Sequence, residues 1–450
     1  MGNFNPNIFF SKFLRMGKNP MLKSMLLVGG ISLLVKALGF YKETIVASSF
    51  GLSELLDTYY IAILIPTIIQ TVFIGSLKNL FIPNYITELI TTKQTGNFQT
   101  FTLSLISLIV LILITSALIF SKFFLESVFP GHTESFYSLV RYQLYWVLPC
   151  LLFWGYTGFL NGLQEINNNY FASTISQVFL PIGIIVCLVF FKDSFGNLVL
   201  AIGMLVGSFG GFLFTLFTSL YKKIIVFGPL KINENMRIML KQYPAKSISG
   251  LLTGINPFVD QFFAAQLVVG SIAALNYGIK IPAFVVGILI LAVGNVLLPH
   301  FSRQINEDLN KAYLQLFKIL KIIFIGSLII VAFTIIFSND IIRILFERKE
   351  FTAQDTFVVS NIQKIALVYV PFYLCTLVCV KFLTATNKNK FMAWTSFWNL
   401  LLNLTMNYIL VKYYGVYGLM LATTIVYILA SLIYVGYTYK QFKLHLTKNF

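Results

Sequence analysis

The residues of this sequence that could bind a ligand or take part in chemistry are charged side chains that interrupt apolar runs. Lys36 lies in ISLLVKALGF, Lys42 and Glu43 lie six and seven positions after Lys36, and Lys280 lies in LNYGIKIPAF. A charge inside a bilayer is unfavourable unless it faces water or a partner. We therefore expect these side chains to line a water-filled interior or to pair with one another.

Basic residues outnumber acidic ones in these runs. The bases within or beside apolar runs are Lys36, Lys42, Lys78, Arg141, Lys280, Lys364 and Lys381, and the acids are mainly Glu43, Asp57 and Asp260. This excess predicts a positive interior that binds an anion, with the three acids as charge partners. Lys36 and Lys280 are the clearest binding candidates, and the alternative for each is snorkelling to a lipid headgroup or pairing with a backbone carbonyl. Because adjacent helical residues point about 100° apart, Lys42 and Glu43 are predicted not to form a close pair.

Helix-breaking residues lie near these charges. Pro66 and Pro282 are predicted to kink the second and eighth spans and to free backbone carbonyls. Gly39 would allow bending or close packing on the first span. Gly51, Gly270 and Gly287 would allow the same at their own positions. A kink can also be static. Asn399, Asn403 and Asn407 share one helix face and are expected to hydrogen-bond to neighbouring helices.

The elements that position these residues are predicted to be membrane-spanning helices. The chain is 57% hydrophobic and only 11% charged, which indicates an all-α polytopic membrane protein. With about 20 apolar residues per span, twelve spans are predicted. They are centred near residues 35, 66, 110, 150, 180, 207, 255, 287, 328, 370, 400 and 426. The polar, basic start has no signal-peptide pattern.

The distribution of positive charge predicts topology. A net charge of +17 could indicate a nucleic-acid partner, but roughly twenty basic loop residues fall on one side of the twelve predicted spans and about six on the other. This asymmetry favours a multi-pass protein of the bacterial inner membrane with both termini in the cytoplasm. No nucleic-acid partner is expected.

No pattern in the sequence indicates catalysis or a cofactor. The four cysteines lie in apolar runs without a neighbouring histidine, so packing is favoured over a metal or redox site. There is no nucleotide-binding loop, catalytic triad or metal motif. We therefore expect a transporter rather than an enzyme, driven by a gradient, by the membrane potential or by use of the product, with a coupling ion left open.

Helix-sized segments occur twice in the chain. Ile119–Phe129 (IFSKFFLESVF) returns as Ile336–Phe346 (IFSNDIIRILF), and Pro83 returns as Pro299. Six spans per half give a parallel repeat, whose two lobes enclose a central cavity and allow alternating access. A duplicated scaffold without transport is the alternative. The predicted organisation is a cytoplasmic amphipathic N-terminus at 1–23, an N-terminal lobe at 24–220, a cytoplasmic linker at 221–241, a C-terminal lobe at 242–440 and a cytoplasmic tail at 441–450.

Several of these segments resemble the MurJ/MviN family of lipid II flippases. LGFYKETIVASSFG, LLDTYYIAILIPTII and LFIPNYI resemble its first two helices, and the stretch from PAKSISGLLTG to VLLPHFSR resembles its seventh and eighth. ILFERKEFTAQD and the FLTATNKNK turn agree as well. The resemblance covers about residues 24–440. It indicates the multidrug/oligosaccharidyl-lipid/polysaccharide exporter superfamily, which also includes the Wzx flippases.

The resemblance implies a V-shaped pair of six-helix lobes that flips a polyprenyl-diphosphate-linked glycan by alternating access. Lys36, Lys42 and Lys280 stand where the family has arginines that line a cationic cavity, and Glu43 and Asp57 match its acidic positions. Lysine keeps the positive charge but lacks the bidentate fork of arginine.

Departures from the family pattern concern the cargo. Gln70 and Thr71 stand where the family has an arginine pair, and Leu64 stands where it has a lysine. The family's two further C-terminal helices are absent from the sequence, and twelve spans are typical of Wzx-like flippases. These departures predict a cargo for surface-polysaccharide or O-antigen synthesis, with lipid II as the alternative. A cation-coupled drug exporter is a further alternative, but it would need an acid-rich cavity.

Overall fold

The computed structural model describes residues 20–448, and every regular element in that range is a helix. The predicted all-α class is therefore confirmed. Most of the predicted N-terminal segment, residues 1–19, and the last two residues of the predicted tail lie outside the described range.

Eighteen α-helices follow one another along this range. In chain order they are α1 (Pro20–Phe50), α2 (Glu54–Ile69), α3 (Gly75–Thr91), α4 (Thr95–Val128), α5 (Glu134–Val147), α6 (Cys150–Ile166), α7 (Tyr170–Ile175), α8 (Phe179–Phe190), α9 (Lys192–Phe195), α10 (Val199–Tyr221), α11 (Glu234–Gly254), α12 (Asn256–Ala264), α13 (Ser271–Gly278), α14 (Lys280–Glu307), α15 (Leu309–Ile336), α16 (Ser338–Phe346), α17 (Ala353–Ala385) and α18 (Asn389–Lys448). A π-helical turn, Gln70–Ile74, joins α2 to α3.

Seven helical segments in the described range are long and apolar enough to cross a bilayer. They are Glu54–Thr91, Thr95–Val128, Tyr170–Phe190, Lys192–Tyr221, Leu309–Ile336, Ala353–Ala385 and Asn389–Thr447. The other apolar stretches are divided by helix breaks, for example at Pro149 between α5 and α6. The chain is thus a multi-pass membrane protein, and the count of twelve spans stays a prediction.

The chain forms two compact units, each assembled from separate stretches of sequence. Unit 1 contains the residues up to Glu43 together with Ile69–Ile119 and Tyr142–Gly250. Unit 2 contains Thr44–Ile68, Phe120–Arg141 and the residues from Leu251 onward. The lobe boundaries drawn from the repeat stay a prediction.

Unit 1 packs around aromatic rings and glycine-mediated helix contacts. The ring of Phe81 lies 4.9 Å from that of Phe159 and 5.1 Å from that of Tyr85, measured between centroids. Helices α8 and α10 approach so closely at Gly207 that an added Cβ atom would lie 2.7 Å from the Leu180 carbonyl oxygen. Small residues permit such close helix packing in membranes.

The segment that connects α10 to α11 is docked on unit 1. The side chain of Gln99 donates to the Ile224 carbonyl oxygen (3.1 Å) and accepts from the Val226 amide (2.9 Å). Glu88 accepts from the side-chain amides of Asn233 and Asn235, each at 2.7 Å. Because Glu88 is fully buried, these bonds supply the partners that a buried carboxylate requires.

Unit 2 has an apolar core on α14, α15, α17 and α18. Phe301, Leu316, Cys379 and Phe382 are at most 1% exposed within it. Helix α18 is interrupted at Gly415, which has a positive φ of 54°. Its exposed aromatic residues lie near both ends of the segment before this break, at Trp394, Trp398, Tyr408, Tyr413 and Tyr414. Two such bands are typical of the two interfaces of one bilayer crossing.

Substitution of Gly207 by alanine should destabilise unit 1. The new methyl group would collide with the α8 backbone, at a cost of about 1–3 kcal/mol. A lower midpoint of thermal unfolding in detergent is the expected result. Gly326→Ala is the matched control, because nothing lies within 4 Å of the Cβ position at that helical glycine. Equal midpoints for the two variants would contradict the close packing.

Candidate functional site

Helix α1 carries the first group of predicted site residues. Lys36 is half-buried, and Gly39 and Glu43 follow it at positions three and seven residues later, which places all three on one helix face. Seven residues correspond to about 10 Å along the axis. An added Cβ atom at Gly39 would meet nothing within 4 Å, so this glycine is not required for close packing. Its role in bending stays a prediction.

Lys42 and Glu43 form an ion pair, so the prediction that they would not is wrong. The Lys42 Nζ lies 2.8 Å from Glu43 Oε1, and the two side chains are 20% and 9% exposed. The prediction considered only the directions of the Cα–Cβ bonds, which differ by about 100°. The long, flexible stem of lysine reaches across that angle.

Asp57 caps a helix that is distant in sequence. Its Oδ2 accepts from the Gly270 amide at 2.6 Å, and its Oδ1 accepts from the Ala273 amide at 2.9 Å. These amides open α13, where they have no acceptor within the helix. The carboxylate also complements the partial positive charge of a helix N-terminus. Asp57 is 5% exposed, so it is a buried structural anion that joins α2 to α13.

Two glycines make this junction possible. Gly270 precedes α13 with a φ of 86°, and an added Cβ atom would lie 2.6 Å from the Leu52 carbonyl oxygen. Gly51 has a φ of 52°, and its Cβ position is blocked by the Glu350 carbonyl group. Positive φ and backbone contact together exclude a side chain at either position. Close packing at Gly51 and Gly270 is therefore confirmed.

The two prolines lie at different kinds of break. Pro66 is inside α2, four residues before the π-helical turn at Gln70–Ile74. Pro282 is the third residue of α14, and the break itself precedes it, between Gly278 and Lys280. Proline is tolerated in a first helical turn because the amide there has no helical acceptor. The predicted hinge role of both prolines stays a prediction.

Lys280 is the first residue of α14 and is half-buried. It belongs to unit 2, whereas Lys36 and Lys42 belong to unit 1. The predicted common cleft of the three lysines therefore stays a prediction.

Asp260 lies in a polar cluster within unit 2. Its Oδ1 accepts from the Asn407 side-chain amide at 2.8 Å, and its Oδ2 accepts from the Thr423 hydroxyl at 3.2 Å. Asn407 also donates to Asn403 Oδ1 at 3.4 Å. The expected contact of the α18 asparagines with a neighbouring helix is confirmed for Asn407. The hydrogen-bond donors described for Asp57 and Asp260 are all neutral groups. The predicted pairing of these two acids with lysines therefore stays a prediction.

The Asp260 cluster is rich in unpaired acceptors. Among the described residues, the buried side-chain oxygens of Asn256, Gln261 and Asn407 have no hydrogen-bond donor. Asn256, Gln261 and Asp260 line a cavity of about 180 Å³, closed on other sides by Tyr369 and Tyr427. Buried acceptors normally have a partner, so this set points to a group that supplies positive charge or protons.

Two further basic residues singled out in the sequence, Lys78 and Arg141, form ion pairs. Lys78 lies 3.2 Å from Glu165 Oε1, and Arg141 lies 2.8 Å from Glu134 Oε1. The sequence prediction named Asp260 but not Asn256 and Gln261, which lie on the same short helix, α12. The unpaired polar residues in an otherwise apolar segment, NPFVDQFF, were the available signal.

Comparison with known proteins gives one consistent result. The family model described as "Lipid II flippase MurJ" matches residues 46–450. A probable lipid II flippase MurJ of Buchnera aphidicola subsp. Schizaphis graminum is 28% identical over 375 residues, which cover 81% of this chain and 72% of that protein. The probable lipid II flippase MurJ of Rickettsia prowazekii is 24% identical over 442 residues, which cover 95% of this chain and 85% of that protein.

Solved structures agree on the fold. A lipid II flippase MurJ in an inward closed conformation superposes with a TM-score of 0.79 at 24% identity, covering 92% of this chain and 87% of that one. An inward-facing MATE transporter of the MOP superfamily superposes with a TM-score of 0.71 at 15% identity, covering 93% of this chain and 98% of that one. The predicted MurJ/MATE-like helical fold is thus confirmed.

Removal of the Asp57 carboxylate should release the start of α13. In Asp57→Ala, the amides of Gly270 and Ala273 lose their buried acceptor, which costs about 1–3 kcal/mol. Faster hydrogen exchange of these two amides is the expected result, with a smaller effect in Asp57→Asn. Glu54→Gln, an exposed position in the same turn of α2, serves as control. Unchanged exchange in Asp57→Ala would show that the cap is not needed.

Proposed function

The chain belongs to the MurJ family, and from this premise we propose that it is a lipid II flippase of the bacterial inner membrane. The observation that carries the proposal is the match to the lipid II flippase family over residues 46–450. As a member of this family the protein is a transporter rather than an enzyme. The cytoplasmic orientation of both termini is part of the proposal and is supported by the asymmetry of its basic loops.

The expected O-antigen or surface-polysaccharide cargo is wrong. The family model and the relatives from Buchnera and Rickettsia all carry the lipid II flippase description. The expectation depended on the number of spans, on where the sequence stops, and on Leu64, Gln70 and Thr71, which stand where the family resemblance implies basic residues. None of these features identifies the glycan on the lipid carrier. The match supports the alternative, lipid II.

The lysines supply the charge that a diphosphate cargo needs. Lys36 and Lys42 are half-buried on α1, and Lys42 is already paired with Glu43. An incoming phosphate would compete with the Glu43 carboxylate for the Lys42 ammonium group. Such an exchange would keep the Lys42 ammonium group paired, whereas the Glu43 carboxylate, whose side chain is 9% exposed, would then need another partner or a proton. Lys280, the first residue of α14, is the third proposed source of positive charge.

The membrane potential can drive outward movement. An inside-negative potential favours the outward passage of each negative charge by ~2.3 kcal/mol per 100 mV. The helix breaks support a change in conformation, because a π-helical turn interrupts the regular hydrogen-bond ladder after Pro66. Gly39, Pro66 and Pro282 are the proposed hinge residues.

Loss of charge at the proposed cavity should abolish transport. Lys36→Gln and Lys280→Gln should each reduce activity about 10- to 100-fold, since a hydrogen bond to a charged group contributes about 1.5–3 kcal/mol. The measurement is rescue of cells depleted of their lipid II flippase, with protein levels compared by immunoblot.

Two controls make this measurement decisive. Lys122→Gln changes a lysine whose side chain is 63% exposed, and it should rescue fully. Cells that lack an O-unit flippase test the cargo in parallel and should not be rescued by the unaltered protein. Full rescue of the depleted cells by the double variant Lys36→Gln, Lys280→Gln would contradict the cationic cavity.

The Asp260 cluster is the proposed site of a coupling cation. One carboxylate and the unpaired amide oxygens of Asn256, Gln261 and Asn407 form an oxygen-only set of the kind that hard cations prefer. A monovalent cation would neutralise Asp260 and give these acceptors a partner. This would couple ion binding to the packing of α12 against α18.

Sodium should stabilise the purified protein through Asp260. Raising the concentration of Na⁺ against a choline background at constant ionic strength should raise the thermal midpoint, as RT ln(1 + [L]/Kd) requires. Asp260→Asn should remove the shift, whereas Asp308→Asn, at a helix end between α14 and α15, should keep it. A midpoint that responds to pH but not to Na⁺, and only when Asp260 is present, would assign the site to a proton.

A further inference from the structure

A second cavity lies in unit 1, and none of the proposed cargo, hinge or cation residues lines it. It has a volume of about 350 Å³. Its walls come from three helices, at Leu103 and Ser107 of α4, Tyr156 and Leu160 of α6, and Phe212 and Leu216 of α10. Ile225 and Phe227 of the docked connecting segment cover one end.

Three of the hydroxyl groups that line this cavity have hydrogen-bond partners within the protein. The Ser107 hydroxyl lies 2.8 Å from the Tyr156 hydroxyl, and Thr100 Oγ1 accepts from the Gly228 amide at 3.1 Å. The other lining residues, apart from Ser104, are apolar, so the walls present mainly apolar surface. An occupant that fits this lining is a hydrocarbon chain.

The cover of the cavity is held in place. The backbone on both sides of Ile225 is bonded to Gln99, and the Gly228 amide that follows Phe227 is bonded to Thr100. Phe227 is nevertheless 71% exposed. One part of its ring closes the cavity while the rest faces outward.

The cavity opens toward the hydrocarbon side of the helices. Each of the neighbours Leu108, Leu213 and Phe217 directly follows a lining residue, and they are 58%, 45% and 70% exposed. They belong to the candidate spans Thr95–Val128 and Lys192–Tyr221. Exposed apolar side chains on a membrane span face lipid, so lipid acyl chains are the solvent at this opening.

Positive charge stands at the covered end. Lys222 and Lys223 are exposed and directly follow α10. Lys223 has a φ of 53°, its amide donates to the Leu220 carbonyl oxygen, and the next amide donates to that of Ser219. These bonds close the helix in a Schellman motif, which fixes the direction of the chain after the two lysines. The two ammonium groups complement an anionic headgroup.

We propose that this cavity binds one acyl chain of an anionic phospholipid whose phosphate group lies against Lys222 and Lys223. The lipid is a bound component of unit 1, distinct from the transported molecule. It would join α4, α6 and α10 to the segment that leads into α11. The proposal does not depend on lipid II being the cargo.

Native mass spectrometry of the full-length protein tests the proposal, with phosphatidylglycerol and phosphatidylcholine as probes. The unaltered protein should retain one phosphatidylglycerol in preference to phosphatidylcholine. Ser104→Trp, which fills the cavity from α4, should reduce that retention at least about tenfold. Leu111→Trp, at a 53% exposed position of the same helix outside the lining, should retain the lipid.

The headgroup contact has its own variant. The double variant Lys222→Gln, Lys223→Gln should lower the ratio of phosphatidylglycerol to phosphatidylcholine affinity roughly thirtyfold, as expected for the loss of two interfacial lysines. Crosslinks from a phosphatidylglycerol with a photoreactive acyl chain should map to α4, α6 and α10 in the unaltered protein. This second measurement does not depend on any variant that could fail to fold.

Three results would overturn the proposal. The first is equal retention by the unaltered protein and Ser104→Trp, and the second is equal retention of the two phospholipids. The third is displacement of phosphatidylglycerol by undecaprenyl phosphate, which would assign the cavity to a prenyl carrier.

Discussion

A bilayer supplies no hydrogen-bond partners, and each helix break in this protein must therefore be satisfied from within. The Asp57 carboxylate shows the consequence most directly. It accepts the two amides that open α13, 2.6 and 2.9 Å away, and so holds together segments 213 residues apart in the chain. The same constraint explains why Gly270 and Gly51 are glycines, since the junction needs positive φ and direct backbone contact. Without this cap, the start of α13 would leave the amides of Gly270 and Ala273 unpaired in a buried position.

The junction also shows how far the internal repeat extends. The spacing that relates Pro66 to Pro282 relates Asp57 to Ala273, one of the two residues whose amides the carboxylate binds. Helices equivalent in the repeat therefore meet near equivalent positions, but only one of them carries an acid. Ala273 cannot return the bond. The repeated helices thus carry different polar contacts in the two halves of the sequence. A lipid-linked diphosphate is itself asymmetric, so its binding does not require the two halves to carry equivalent polar residues.

Composition and periodicity were sufficient to predict the helical class and the membrane location, and the resemblance of several segments to MurJ/MviN sequences indicated the family. They were insufficient wherever a contact depends on side-chain reach or on segments that meet only after folding. The Lys42–Glu43 pair was missed because Cβ directions ignore the length of the lysine stem. Asn407 was correctly expected to reach a neighbouring helix, since a polar face on an apolar helix must find a partner. Asn256 and Gln261 were missed because α12 has only nine residues, too few for a periodic pattern, although both share that helix with Asp260.

The cargo was the instructive error, because neither the number of spans nor the neutral residues Leu64, Gln70 and Thr71 identify a glycan. A diphosphate is recognised by charge, and the family resemblance implies lysine in this chain where the family has arginine. A lysine binds phosphate as a point charge without the geometric demand of a guanidinium fork. Lysine in place of arginine therefore fixes the orientation of the phosphate less strictly but still attracts it. Such binding suits a substrate that must be captured and then released. Lys42, held by Glu43 before any cargo arrives, fits the same logic: its charge is stabilised in the empty cavity and remains available for exchange.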